Sequence, residues 1–301
     1  MKSTAYRIER TDLVTLDPEA HIYTHRAGYT MESVTRVLKS VQEPFNSDRI
    51  SYFVARKKLR HEIGGGNWKV GMREPTEEQI KRKQAEVLLE WDDKRELSIE
   101  HGVGIHSIVE DILSGKGVVE EHSELAMIIS SAYFNYKQVL PEFILFDEQY
   151  GVAGMTDNVA LRQASPSSLV DIDDFKTNIS KGIQFDSMGL DERGNIRHYN
   201  RMLLPPVSHL EDCNYNLYCL QLSIYAYLFE KRYKHGIGSL RIRFIYRENV
   251  GNGKHKYAMT TYPVPYMRSE AIAILENYSQ LKELPARKEE IEIGSMVASD
   301  L

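Results

Sequence analysis

Asp157, Asp174 and Lys176 are the residues of this chain whose types and spacing best suit chemistry. They lie in the stretch GVAGMTDNVALRQASPSSLVDIDDFKT, residues 151–177, which otherwise reads like buried hairpin strands. Side chains alternate across a strand, so Met155, Asp157, Val159 and Leu161 share a face. By the same rule Val170, Ile172, Asp174 and Lys176 share one face, and Leu169, Asp171, Asp173 and Phe175 share the other. A meander of these strands brings Asp157 beside Asp174. Two adjacent carboxylates repel, and one takes up a proton unless a cation neutralises the pair. Mg²⁺ favours carboxylate, carbonyl and water oxygens, and the Phe175 carbonyl offers a further ligand. Lys176 would orient a water beside the cation and offset developing negative charge. Asp followed by Asp-x-Lys is thus a donor set for hydrolysing phosphodiesters. The bland alternative leaves Asp171 and Asp173 simply facing solvent. Asp173 competes with Asp174 for the role, but only Asp174 has the x-Lys spacing and the face of Lys176.

Those residues need a sheet and helices to hold them. HIYTHRAGYTM predicts a hairpin turning near Ala27 and Gly28, after which Ser33 caps a short helix that Pro44 stops. Ser47 is placed to cap a second helix, which EIGGGN breaks. Thr76 and Gln79 have capping-box spacing and open a long charged helical region, followed by a second helical section ending at ILSGKG. A further helix is expected through SELAMIISSAYFNYKQVL, where Ala126, Ile129, Tyr133, Tyr136 and Leu140 recur at helical spacing. Strand signals begin near Glu142 with EFILFDEQ. A long loop, 178–211, precedes the strong helix NYNLYCLQLSIYAYLFEKRY. SLRIRFIYRE and YAMTTYPVPY read as extended, NVGNGKHK as the turn between them, and RSEAIAILENYSQL as a final helix. On the helices, His106 and Glu110 share a face at i,i+4, as do Gln221 and Tyr225. Glu110 is placed to orient His106 or a water.

Four elements in this order resemble the PD-(D/E)xK nuclease superfamily, specifically its RecB-like, Cas4-like exonuclease branch. HGVGIHSIVEDIL resembles the branch's G-x-x-H-x-x-x-E helix, and GVAGMTDNV its G-x-x-G-x-x-D strand. DDFKTN resembles its (D/E)-x-K-T strand, and LQLSIYAY its Q-x-x-x-Y helix. Together they span residues 101–227, and HIYTHRAGYTMESVTRVL is similar to phage-type and mitochondrial-maintenance exonucleases of the same branch. The resemblance implies an α/β fold with a restriction-endonuclease-like core: a central mixed β-sheet flanked by helices, behind a helical N-terminal section. It implies Asp157 and Asp174 as acidic metal ligands and Lys176 as the catalytic lysine. His106 would cap the metal, Gln221 and Tyr225 would support the site and touch the DNA backbone, and Thr177 would steady the turn after the lysine. The branch often carries Glu where this chain has Asp174, one methylene shorter.

The implied activity is a Mg²⁺- or Mn²⁺-dependent DNA exonuclease of recombination, repair or replication, acting on single- or double-stranded DNA with ends. The rivals are an endonuclease with the same site and a non-enzymatic DNA-binding or scaffold protein. Arg56, Lys57, Lys58 and Arg60 are placed to guide a strand through phosphate contacts. No G-x-x-x-x-G-K-[ST] motif occurs, so any unwinding falls to a partner protein of recombination or replication. Net charge is −5, which counts against a non-specific DNA coat but not against an acidic metal centre. Cys213 and Cys219 are the only two cysteines, too few for a disulfide framework or the four-cysteine iron–sulfur cluster of some relatives. Together with the lack of a secretory apolar segment or a membrane-length apolar run, they predict an intracellular, cytoplasmic protein of a bacterium or phage-infected cell. A single domain is expected over 1–285, with an N-terminal hairpin and helical section at 1–95, a catalytic core at 96–285 and a loose tail at 286–301.

Overall fold

The computed structural model describes residues 7–165, 167–177, 182–190, 196–251 and 254–283. The expected tail, 286–301, lies outside them, as do parts of the long loop and of the turn near residue 252. The chain opens with β1 (Val14–Asp17), β2 (Ile22–His25) and β3 (Thr30–Ser33). The hairpin turn falls where expected, with Gly28 at φ +89°, a conformation glycine adopts without steric cost. Helix α1 (Val34–Lys39) is capped by the Ser33 side chain, which accepts from the Arg36 N–H. Helix α2 (Ser47–Ile63) starts one residue off expectation: Asn46, not Ser47, is the cap, and it accepts from the Arg49 N–H.

Helix α3 (Glu77–Leu113) opens with the Thr76–Gln79 capping box and runs unbroken for 37 residues. The two expected helical sections are therefore one, passing through Gly102 and Gly104, and the 95–96 boundary falls inside it. Each interior glycine costs about 1 kcal/mol against alanine. Burial of Ile105 and Val109 just beyond them offsets that cost.

Helix α4 (Ser123–Tyr133) ends seven residues before Leu140, and β4 (Gln138–Asp147) begins earlier than expected. Tyr136 and Leu140 matched the helical period by coincidence. A turn closed by the Tyr136 N–H on the Tyr133 carbonyl ends the helix, and Leu140 pairs with Val159 in the sheet. Next come β5 (Val152–Leu161), β6 (Val170–Lys176), the short pair β7 (Met188–Leu190) and β8 (Ile196–His198), and α5 (Asn214–Tyr233). The hairpin β9 (Ile237–Gly251) and β10 (Lys254–Val264) and helix α6 (Arg268–Glu283) complete the fold.

The protein is α/β, with a mixed central sheet in the order β1-β2-β3-β5-β6-β9-β10 and β4 paired to β5. Strands β4, β5 and β6 form the expected antiparallel meander, while β3–β5 and β6–β9 are parallel. The main core packs α1, α5 and α6 on one face through Val34, Leu220, Ile224, Ile172 and Leu275. A second core packs the end of α3 and helix α4 on the other face, through Ile105, Val109, Ile129, Tyr133 and Phe175. Helices α2 and α3 form a hairpin with its own small core of Ala55, Ile80 and Val87. No helix among the described residues is long and apolar enough to cross a membrane.

Candidate active site

The site is built around a split in the sheet. One edge of β5 pairs with β6 only from Asn158 to Leu161, and with β3 only at Val152 and Ala153. Residues 154–157 therefore have no strand partner on that edge, where β3 and β6 part, while β4 still pairs with 154–156 on the other. A backbone group left without a ladder partner must find another. Asp157 supplies it: its Oδ2 accepts the Phe175 N–H at 2.5 Å. The aspartate thus sits in the opening between strands, within reach of helices on both sides.

From the α4 side comes His106 of α3, with Nδ1 3.4 Å from Asp157 Oδ1. From β6 come Asp174 and Lys176, whose Nζ lies 2.6 Å from Asp174 Oδ2. That ion pair holds Asp174 Oδ2, a buried oxygen with no other donor among the described residues. The Phe175 backbone reaches the split while its ring is buried on the opposite side, 6.5 Å from the Tyr133 ring. From the α5 side come Gln221 and Tyr225. Gln221 Nε2 donates to the Tyr225 hydroxyl at 3.2 Å, and Tyr225 is buried. Gly154 makes room for that tyrosine. A Cβ there would lie 2.6 Å from Tyr225 Cε1 and 2.8 Å from Val34 Cγ2. Gly151, three residues earlier, turns the chain into β5 at φ +63°. The glycines of the G-x-x-G-x-x-D pattern are thus set by a turn and by helix packing.

Burial opposes charge at all four polar groups, yet it does not win everywhere. Burial pushes Asp157 up, but His106, Lys176 and the Phe175 N–H outweigh it and hold its carboxyl below the usual range. Asp174 goes the other way: burial and the neighbouring charge of Asp157 prevail over Lys176 and raise it. Burial alone would lower His106, and Asp157 beside it reverses the direction. Burial works against the Lys176 ammonium too, but Asp174 and Asp157 hold its pKa above the ordinary lysine value. Asp174 therefore feels the charge of Asp157 in a buried place.

Glu110 and Thr177, the two expected supporting residues, both border the split. Glu110 lines a small cavity with His106, Val109, Asp157 and Phe175. Thr177 is held by α3, its Oγ1 3.1 Å from His101 Nε2. Of the candidate strand guides, Arg56 and Arg60 both hold Glu74, and Lys58 holds Glu90, within the α2–α3 hairpin.

Three residues at the site went unnoticed in the sequence. Glu142 of β4 lines the same cavity and stands opposite Asp157, between the pairs Pro141–Asn158 and Phe143–Thr156. Its φ of +46° is a strained conformation for a residue with a side chain, and such strain collects at functional sites. Burial, with Glu110 and Asp157 nearby, raises its pKa. Arg10 donates to the carbonyls of Pro141 and Glu142, which holds this distorted segment. Tyr218 places its ring 5.0 Å from Lys176 Nζ. It lies three residues before Gln221 and seven before Tyr225, a helical spacing that was legible. His101 had no such signal, since its partner Thr177 lies just past the end of β6, far along the chain.

Among the described residues, no three His, Cys, Asp or Glu side chains already converge as a metal cage. The donor chemistry nonetheless fits a hard divalent cation. A buried carboxylate, Asp174, and a half-buried one, Asp157, lie at one split, and an imidazole lies beside them. No family model matches the chain, and no curated protein matches it.

Proposed function

We propose that this protein is a divalent-cation-dependent deoxyribonuclease of the PD-(D/E)xK type, an exonuclease acting on DNA ends. The observation that carries the reading is the meeting of His106, Asp157, Asp174 and Lys176 at one split in the sheet. His106, Asp157, Asp174 and the Phe175 carbonyl would hold Mg²⁺ or Mn²⁺. When bound, the cation neutralises the carboxylates and polarises the phosphodiester. Asp174 holds the Lys176 ammonium beside the split. Its work would be to orient the attacking water and to face the charge gathering on the phosphoryl oxygens. Water forms the new P–O bond in line as the bond to the leaving oxygen breaks; the attacking water gives up a proton to solvent, and the leaving oxygen takes one from solvent. Gln221 would offer a neutral donor to the strand from α5, while the expected strand contact by Tyr225 does not fit its burial: it supports Gln221 from within the core.

The test is incubation with end-labelled linear and end-free circular DNA, single- and double-stranded, in Mg²⁺, Mn²⁺ or EDTA. Asp157→Ala and Lys176→Ala run alongside. Cation-dependent loss of linear DNA, absent in both variants, supports the reading. Equal cutting of circles assigns an endonuclease. DNA binding without cleavage in any metal overturns the enzymatic reading, and cleavage that survives both substitutions overturns the site.

A further inference from the structure

We propose that Tyr218 is a positioning residue for Lys176, its ring face keeping the ammonium in place when Asp174 is drawn onto a cation. The inference rests on the nuclease reading above. Lys176 Nζ has two close neighbours of different kinds, Asp174 Oδ2 at 2.6 Å and the Tyr218 ring at 5.0 Å. A divalent cation competes for the first. It takes over the carboxylate and brings positive charge toward the ammonium. It does not compete in the same way for the second, because a ring face holds an ammonium through its quadrupole and presents no lone pair for a hard cation. An ammonium with only a carboxylate to hold it would swing away once that carboxylate is shared. The ring gives it a second, independent anchor.

The anchor is on a rigid element. Cys219, Leu220, Leu222 and Ile224 of α5 are buried in the main core, and Tyr218 is half-buried beside them. Tyr218, Gln221 and Tyr225 follow one another at i, i+3 and i+7 along the helix, so one face of α5 serves the split throughout. On its other flank the end of β6 is held by the His101–Thr177 contact. Lys176 thus lies between two fixed helices.

The experiment compares Tyr218→Phe with Tyr218→Leu in the full chain. In metal-free protein labelled at lysine, the Lys176 Cε proton signal, identified by its loss in Lys176→Arg, reports the ring directly. It should lie upfield in wild type and in Tyr218→Phe, and move to the ordinary lysine position in Tyr218→Leu. With Mg²⁺ and linear DNA, kcat should fall about tenfold in Tyr218→Leu and stay within about twofold in Tyr218→Phe, with KM and melting temperature little changed. An unmoved Lys176 signal or an undiminished kcat in Tyr218→Leu overturns the proposal. So does a rise in KM at constant kcat, which would make the ring a substrate contact, or equal loss in Tyr218→Phe, which would make the hydroxyl the active group. A wild-type protein that cleaves no DNA while the signal still depends on the ring removes the nuclease reading and the catalytic half of this one, leaving the contact itself.

Discussion

The two faces of β6 carry the same residue type to opposite ends. On one face Asp171 and Asp173 are buried and fully partnered. Arg241 holds Asp173 through two hydrogen bonds of 2.5 and 2.9 Å, and Tyr133 donates to it at 2.6 Å. Arg162 and Tyr136 donate to Asp171, and Arg241 lies 3.2 Å from it. On the other face Asp174 has one close cation, Lys176, and lies beside a second aspartate whose charge it feels. An acid whose lone pairs are all taken holds a structure together. An acid buried with a single cationic partner and a like charge beside it stores a demand for a further cation. Burial alone, therefore, does not separate structural from functional carboxylates; the inventory of partners does.

The comparison breaks most sharply at the active face. Asp174→Asn should cut single-turnover cleavage by about 10⁴-fold, near 5.5 kcal/mol, yet shift the free energy of unfolding in urea by less than about 1 kcal/mol. A large stability loss with intact cleavage would reverse the assignment of the two faces. At the opposite face Arg241→Ala should destabilise the protein by about 3–5 kcal/mol, because Asp173 loses its bidentate partner in the interior. Arg241→Met combined with Asp173→Leu should recover most of that in the same urea titration. A stability loss for Arg241→Ala below about 1 kcal/mol would show that the network is not structural.

Cation binding gives the next effect. Calorimetry with Mn²⁺ at a hundred times its dissociation constant should show wild type stabilised by about 2.7 kcal/mol, with no gain in an Asp157→Ala, Asp174→Ala double variant. Equal gains in both proteins would place the cation elsewhere. Gly154→Ala forces a methyl against Tyr225 and Val34 and should cost about 1–3 kcal/mol in chemical denaturation. No loss there would mean that α5 sits off the split. The smallest effect is at Glu142, where glycine relieves the positive φ. Glu142→Gly should gain about 0.5 kcal/mol of stability while slowing cleavage. Slower unfolding with undiminished turnover would mark the strain as incidental.

Much of this was legible in the chain. The meander of β4, β5 and β6, the shared face of Asp174 and Lys176, the Thr76–Gln79 cap and helix α5 all follow from period, cap chemistry and turn residues. Those rules act over a few residues. They failed where a tertiary partner overrode a local signal: Tyr136 matched a helical period but lies in the turn and donates to Asp171. Asp171 and Asp173 read equally well as solvated, since nothing near them in sequence discloses Arg241, some 70 residues on.

The sequence by itself determined which side of its strand each acid occupies, because alternation across a pleat is a local property of the backbone. Only the tertiary structure decided which acids meet arginine and tyrosine and which meet one another. It decided, too, that β5 leaves β6 at Asn158, opening the split that Asp157 fills, and that Glu142 and Tyr218 border it. The physical reason is that a carboxylate's role depends on the charges and donors brought within a few ångströms of it, and those come from strands and helices far away along the chain.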